Sequence, residues 1–236
     1  MEFQGNDLLH LQICAVVVYW CCTIALFFKL LPWIMMRCSV LQRRKCFHLL
    51  AIALFLPPTV KLPVFMGIGY LVAFVGFVAL EFVRLQCWSI SKRLEFISAL
   101  LKKEESMEKP LLCHIELLLG CAIPLWISLL SNPPTLTRER DKLFECGGIV
   151  CVGVGDSLAA LIGNAFGSIR IVGGKTLEGT LAFALGSSLA FKLSFGSFEL
   201  DSCLAAALSE AFCSRHDNFW CSLVFSLVYL SKRDRV

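Results

Sequence analysis

Charged residues divide this chain into long apolar runs. Residues 13–28 and 62–80 carry no charge, and 111–130 is apolar apart from His114 and Glu116. A transmembrane helix needs about 20 mostly apolar residues to cross a hydrocarbon core of about 30 Å. Weaker runs extend the candidate spans to 11–31, 47–60, 62–83, 111–130, 144–165, 177–195, 202–213 and 218–231. The 47–60 run is short and ends in Pro57-Pro58, so a tilted or half-inserted segment is expected there. The last two runs are short enough for one bent helix or a re-entrant pair. With every backbone polar group needing an internal partner in lipid, the pattern predicts an all-α, polytopic transmembrane helical bundle of about 6–8 membrane segments.

Composition agrees with lipid as the main solvent. The 236 residues are 57% hydrophobic and 17% charged, against about 45–50% apolar and about 25% charged in soluble domains. The 13 cysteines sit mostly inside apolar runs and form no Cys-x-x-Cys pair. They read as small buried hydrophobes, neither a disulfide framework nor a zinc site. The first residues, Met-Glu-Phe-Gln-Gly-Asn-Asp, are acidic where a cleaved signal would be basic. Residues 1–42 are therefore expected to be a retained N-terminal membrane anchor segment.

Basic residues concentrate in three connectors, 37–45, 84–109 and 166–176. Positive-inside counting puts all three on the cytosolic side, as the span order requires. The basic residues Lys232, Arg233 and Arg235 fit that order poorly. Within the second connector, 91–110 reads as an amphipathic surface helix ended by Pro110, and 137–142 as a mixed-charge loop.

Candidate chemistry begins where ionisable residues stand at membrane depth, which costs roughly 2.5–3.5 kcal/mol for an Asp at a helix centre. Asp156 is the clearest case, with no basic residue near it in sequence. Gly153 and Gly155 precede it and Gly163 and Gly167 follow, allowing close helix packing or backbone approach to a ligand. Asp156, Ala160 and Asn164 recur every fourth residue and share one helix face. A polar packing contact is the simpler alternative. Next, 168–179 holds a Gly-Lys-Thr, but a P-loop needs a glycine where Ile169 stands and a preceding strand. What remains is a flexible loop with Arg170 and Lys175 leading into a helix near Thr176 and Glu178, cations suited to a polyphosphate. Arg44, Lys45 and His48 share a helix face at a membrane boundary, where simple snorkelling is the plainer reading. Glu210 and Asp217-Asn218 flank a polar break between the last two apolar runs. His10 and His114 read as incidental.

Four of these groups occur together in an order that resembles the polyprenol kinases. They are Arg44-Lys-x-x-His48, Gly155-Asp156-Ser-x-Ala, Lys175-Thr-x-Glu-Gly179 and Glu210-Ala-x-x-x-x-Asp-Asn218. That family includes dolichol, phytol and farnesol kinases and a CTP-dependent diacylglycerol kinase; the Lys175–Thr180 run and the Glu210–Asn218 ending look most like dolichol kinase. The likeness runs from about residue 43 to the last residue, which marks 43–236 as a polyprenol kinase catalytic membrane domain. Full dolichol kinases usually carry a longer N-terminal membrane region than these residues contain. Gly174 stands where the family often has a second basic residue, and Ala160 where a serine is common.

The resemblance implies phosphoryl transfer from CTP to dolichol at the endoplasmic reticulum membrane, supporting protein glycosylation, with active-site loops cytosolic. Asp156, Lys175 and Glu178 would be catalytic. Gly155, Ser157, Arg170, Lys175, Thr176 and Gly179 would bind the nucleotide. Asp156 and Glu178 would hold Mg²⁺ or another divalent cation, with Glu210 or Asp217 as alternative second carboxylates. Arg44, Lys45, His48, Glu210, Asp217 and Asn218 are further candidates. The partners implied are dolichol and membrane lipid, with no nucleic acid. Alternatives are a kinase for another lipid alcohol, or a catalytically silent scaffold of the same fold. Retained carboxylates argue against silence, since an idle Asp156 would cost insertion energy to no purpose.

Overall fold

A computed structural model describes residues 2–86, 112–131, 141–213 and 215–233. Among them the chain forms helices α1 (Glu2–Arg37), α2 (Val40–Lys61), α3 (Pro63–Gln86), α4 (Cys113–Ser131), the short α5 (Lys142–Glu145), α6 (Gly147–Phe166), α7 (Leu177–Phe195), α8 (Leu200–Phe212) and α9 (Asp217–Arg233). The expected all-α membrane bundle is what forms. Its one β-type pairing among the described residues is an isolated bridge, Arg170 with Thr176. The surface helix expected at 91–110 lies outside the described residues, as does most of the 137–142 loop.

α1, α3, α4 and α6 are long and apolar enough to cross a membrane. α2 and α7 are long enough but fall short of that mark in apolar character, whereas α8 and α9 are shorter, at 13 and 17 residues. Proline does not cut α2 short: the helix runs through Pro57 and Pro58 to Lys61. Its start is fixed by a capping box, in which Ser39 Oγ accepts from the Gln42 amide and Gln42 Oε1 accepts from the Ser39 amide. The expected boundary at residue 42 therefore falls inside the first turn of α2. α8 and α9 are two separate helices, and they form a closely packed hairpin.

α6 is the central element, packed against α2, α4, α7 and α9. Half of its apolar window is buried, against 6% for α1, which lies on the outside of the bundle. Hydrogen bonds attach α1 to α2: Tyr19 Oη donates to the Ala53 carbonyl and Trp20 Nε1 to the Leu54 carbonyl, at 2.6 and 2.7 Å, and Arg43 Nη2 donates back to the Met35 carbonyl. On the far side of α6, Phe191, Phe225, Tyr229 and Phe144 stack in sequence with ring centroids 5.3–5.9 Å apart.

Ion pairs give the direction of the helices. Lys45 at the start of α2 pairs with Asp156 of α6. His216 in the α8–α9 turn meets Glu116 in the first turn of α4, Nδ1 to Oε1 at 2.5 Å. Connectors 37–45 and 166–176, the α8–α9 turn and the start of α4 therefore gather at one end. At the other end Lys232 pairs with Glu199 and Asp201, at 3.0 and 3.4 Å, and Arg233 lies 3.8 Å from Asp141. Lys232 and Arg233, two of the basic residues that fit the topology poorly, are thus matched by local acids.

Candidate active site

The first turns of α2 place three side chains on the face that meets α6. Arg44, Lys45 and His48 fall within one helical turn of each other. α6 answers with Asp156, held immediately after a π-helical stretch, Val150–Gly155. Such widened turns are uncommon and cluster at functional sites. The missing side chain of Gly155 lets α7 approach: a Cβ there would lie 2.5 Å from Ser187 Oγ and 2.7 Å from the Phe183 ring. Gly155 thus serves close helix contact. Ser157 is buried as well, and neither residue lines the cavity described below.

Asp156 is only 5% exposed, and its charge is met from 111 residues away. Lys45 Nζ donates to its Oδ2, and His48 Nε2 lies 3.0 Å from the same oxygen. The other ring nitrogen of His48 is 3.0 Å from the Arg44 carbonyl, to which it donates. A second cluster adjoins the first. Lys175 Nζ donates to Glu210 Oε1 and lies 3.4 Å from Asp217 Oδ2. Carboxylate oxygens of Asp156, Glu210 and Asp217 all fall within 4.8 Å of one another. Burial alone would lower the Lys175 pKa, but the Glu210 and Asp217 carboxylates outweigh it and raise the pKa above the ordinary lysine value. Lys175 therefore stays charged through neutral pH.

The 167–176 connector is more ordered than a flexible loop. The Ile171 amide donates to the Lys175 carbonyl and the Leu177 amide to the Ile169 carbonyl, both at 2.9 Å, closing a small hairpin. Its tip turns through Gly173 and Gly174, whose φ of 66° and 80° suit glycine. Glu178 braces this hairpin, its carboxylate accepting from the Ser168 amide, the Ser168 hydroxyl and the Ile169 amide at 2.9, 2.7 and 3.1 Å. Thr176 caps α7, its Oγ1 accepting from the Gly179 amide. Glu178 is absent from the carboxylate trio, where Glu210 and Asp217 accompany Asp156.

A cavity of about 380 Å³ joins these parts. It brings together the predicted Arg44, Lys45, His48, Asp156, Arg170, Lys175, Thr176, Gly179, Glu210, Asp217 and Asn218. The face Asp156–Ala160–Asn164 lines it as the four-residue spacing suggested. Gly163 and Gly167, noted in the sequence as allowing backbone approach to a ligand, line it as well. Leu41, Ala159 and Thr180 also line it and were not singled out as ligand contacts. Ala159 lies three residues after Asp156, so helical spacing was the available signal.

Curated relatives match the chain over most of its length. Dolichol kinase EVAN of Arabidopsis thaliana is 34% identical over 201 residues, covering 77% of this chain and 34% of that protein. Dolichol kinase sec59 of Schizosaccharomyces pombe is 33% identical over 154 residues, 64% of this chain and 30% of the relative. Dolichol kinase of Homo sapiens is 30% identical over 204 residues, 80% of this chain and 38% of the relative. The chain belongs to the dolichol kinase family. It spans about a third of the length of these relatives. No protein-family model and no solved structure matches it.

Within a dolichol kinase relative, the cavity's contents can bind charge of both signs at once. Three hard carboxylate oxygens suit Mg²⁺ or Mn²⁺, and the Lys175 ammonium already stands against two of the three carboxylates as a cation would. Arg44 and Arg170 line the same cavity with no side-chain ion pair among the described residues, which leaves two guanidinium groups for an anion.

Proposed function

We propose that the chain transfers the terminal phosphoryl group of CTP to the hydroxyl of dolichol, at the cytosolic face of the endoplasmic reticulum membrane, yielding dolichyl phosphate for protein glycosylation. The observation that carries this reading is the single cavity in which Asp156, Glu210 and Asp217 converge with Arg44, Lys45, Arg170 and Lys175. Phosphoryl transfer asks a protein for positioning and charge neutralisation more than for covalent chemistry, and this cluster supplies both. The relatives, dolichol kinases all, suggest the acceptor.

Arg170 and Lys175, on the hairpin, bind the phosphates, with Arg44 facing them from α2. Asp156, Glu210 and Asp217 would hold a divalent cation, which when bound neutralises phosphate charge. Lys45 and Lys175 then exchange carboxylate partners for phosphate oxygens, so the site keeps its charge balance as the nucleotide enters. Glu178 and Thr176 hold the hairpin to α7 and present Lys175 at a fixed height.

The acceptor's tail remains among lipid chains, so distal isoprene units move between similar apolar surroundings and contribute little discrimination. Selectivity resides at the head, where one methylene is worth about 1–3 kcal/mol. A competition assay tests donor and acceptor together, offering CTP or ATP with dolichols, phytol, farnesol and diacylglycerol. Long polyprenols with a saturated first unit should win, with CTP as donor and weak dependence on length beyond the first units. A strong preference for phytol or diacylglycerol over every dolichol would assign the chain to another lipid alcohol.

A further inference from the structure

α7 and α8 are inside-out by the standard of a helix in water. On α7 the buried side carries Thr180, Ser187 and Ser188, while Leu177, Leu181, Leu185, Leu189 and Leu193 stand exposed at every fourth residue. α8 repeats the pattern, with Ser202 and Glu210 buried and Leu204, Leu208 and Phe212 exposed. A helix against water turns its apolar side inward and its polar side out. Leucine loses nothing among lipid tails, which are as apolar as its own side chain. The leucine sides of α7 and α8 are therefore lipid faces.

The stripe on α7 also measures depth. At about 1.5 Å per residue, Leu177 to Leu193 covers about 24 Å, short of a hydrocarbon core of about 30 Å. Charges close the far end: Lys192 is in the last turn of α7, and Lys232 pairs with Glu199 and Asp201 just beyond it. The remaining few ångströms fall at the near end, where the 167–176 hairpin stands. The hairpin has two sides. Arg170 and Thr176, joined by the isolated bridge, line the cavity. Next along the pairing, the Leu177 amide donates to the Ile169 carbonyl; these two side chains do not line the cavity and are 39% and 56% exposed. Successive residues of an extended strand point to opposite sides, so one short pairing carries a cation inward and an isoleucine outward. Phe166 extends the outer side. It lies two residues, about 200° of helix, beyond the cavity-lining Asn164, and is 71% exposed.

We infer that the hairpin is an interfacial element, its outer side of Phe166, Ile169 and Leu177 seated in the bilayer where headgroups meet acyl chains. It continues the lipid face of α7, and its partner is membrane lipid. Elements with one apolar and one basic side settle at that boundary. The inner side stays with the cavity, whose mouth thus opens at headgroup level. One consequence rests on the proposed function: a lipid alcohol reaches the site with its hydroxyl while its tail stays in the bilayer.

The test reads depth directly. In the full chain with native cysteines replaced, Ile169→Cys, Leu177→Cys, Leu185→Cys or Asn164→Cys is labelled with a polarity-sensitive fluorophore and placed in phosphatidylcholine nanodiscs. Quenching is then compared for iodide in the water and for lipids with a nitroxide near the headgroup or near the chain end. Labels at Ile169 and Leu177 should emit at shorter wavelength than the label at Asn164 and be quenched most by the headgroup-proximal nitroxide. Leu185 should respond most to the chain-end nitroxide, and Asn164 to iodide. Emission and iodide quenching at Ile169 and Leu177 equal to those at Asn164 would put the outer side in water and overturn the inference. Shortened wavelength there without quenching by either lipid would mean that protein, such as a second copy of this chain, covers that side, and would overturn it too. Both side chains are exposed, so cysteine at either removes no core contact, and either position decides the depth alone. No readout needs turnover: failure to move phosphate from CTP to dolichol would contradict the proposed function and leave the hairpin's position standing.

Discussion

At the scale of residues, the site is a balance of buried charges, and its first consequence concerns Asp156. Replacing it by Asn removes the charge that Lys45 pairs with and that a metal at the proposed site would need, so transfer should be abolished. The same change leaves Lys45 facing His48 with no counter-charge, and breaking a buried pair from one side costs about 3–5 kcal/mol. Asp156→Asn should therefore lower the Tm, and the double variant Asp156→Asn/Lys45→Met should recover most of that loss without recovering activity. Thermal unfolding in nanodiscs beside a phosphoryl-transfer assay checks both outcomes; recovered activity in the double variant would remove Asp156 from the chemistry. Asp156 was visible in the sequence because a carboxylate in an apolar run is costly. Its partners were not, since Lys45 lies 111 positions away and only the packing of α2 on α6 brings them together. For the same reason Glu178, closest in sequence to Lys175, looked like a metal ligand. Its carboxylate is instead engaged by two amides and a hydroxyl of the adjoining strand of the hairpin.

At the scale of elements, two devices set the geometry: the braced hairpin and the π-helical stretch of α6. The hairpin presents Lys175 to the cavity. Lys175→Ala should raise the KM for CTP by about 10- to 100-fold, the worth of a hydrogen bond to a charged group, with less than about threefold change for dolichol. A shift confined to the lipid would disprove the nucleotide assignment. Gly155→Ala tests the other device. The added methyl would meet Ser187 Oγ and Phe183, push α6 from α7 and displace Asp156, so kcat should fall at least about tenfold while lipid binding changes little. Overpacking of this kind costs about 1–3 kcal/mol in stability. Apolar run length was enough to find every long helix among the described residues, including the α8–α9 pair, though not whether that pair was one bent helix or two. The order in the hairpin was illegible because it comes from Glu178 reaching back across ten positions and from two adjoining glycines with positive φ. No periodicity in 150–155 announces the π-helical winding.

At the scale of the whole molecule, helices alternate between two ends, and the cavity, the described basic connectors and the α8–α9 turn share one of them. The chain should therefore expose 37–45 and 166–176, together with 84–109, to the compartment that holds the nucleotide. Single cysteines placed in these connectors, in a background with the native cysteines replaced, should react with impermeant reagents from the cytosolic side. Luminal labelling of 166–176 would reverse the orientation and remove the donor from reach. The central claim is that this cavity moves a phosphoryl group from CTP to dolichol. The most direct measurement incubates the purified chain in nanodiscs with γ-labelled CTP, dolichol and Mg²⁺ and follows label into lipid, with Asp156→Asn/Lys45→Met as the folded control. Labelled dolichyl phosphate from the wild type and none from the control is the predicted result. Equal labelling from both, or none from a wild type that binds nucleotide and lipid, would contradict it.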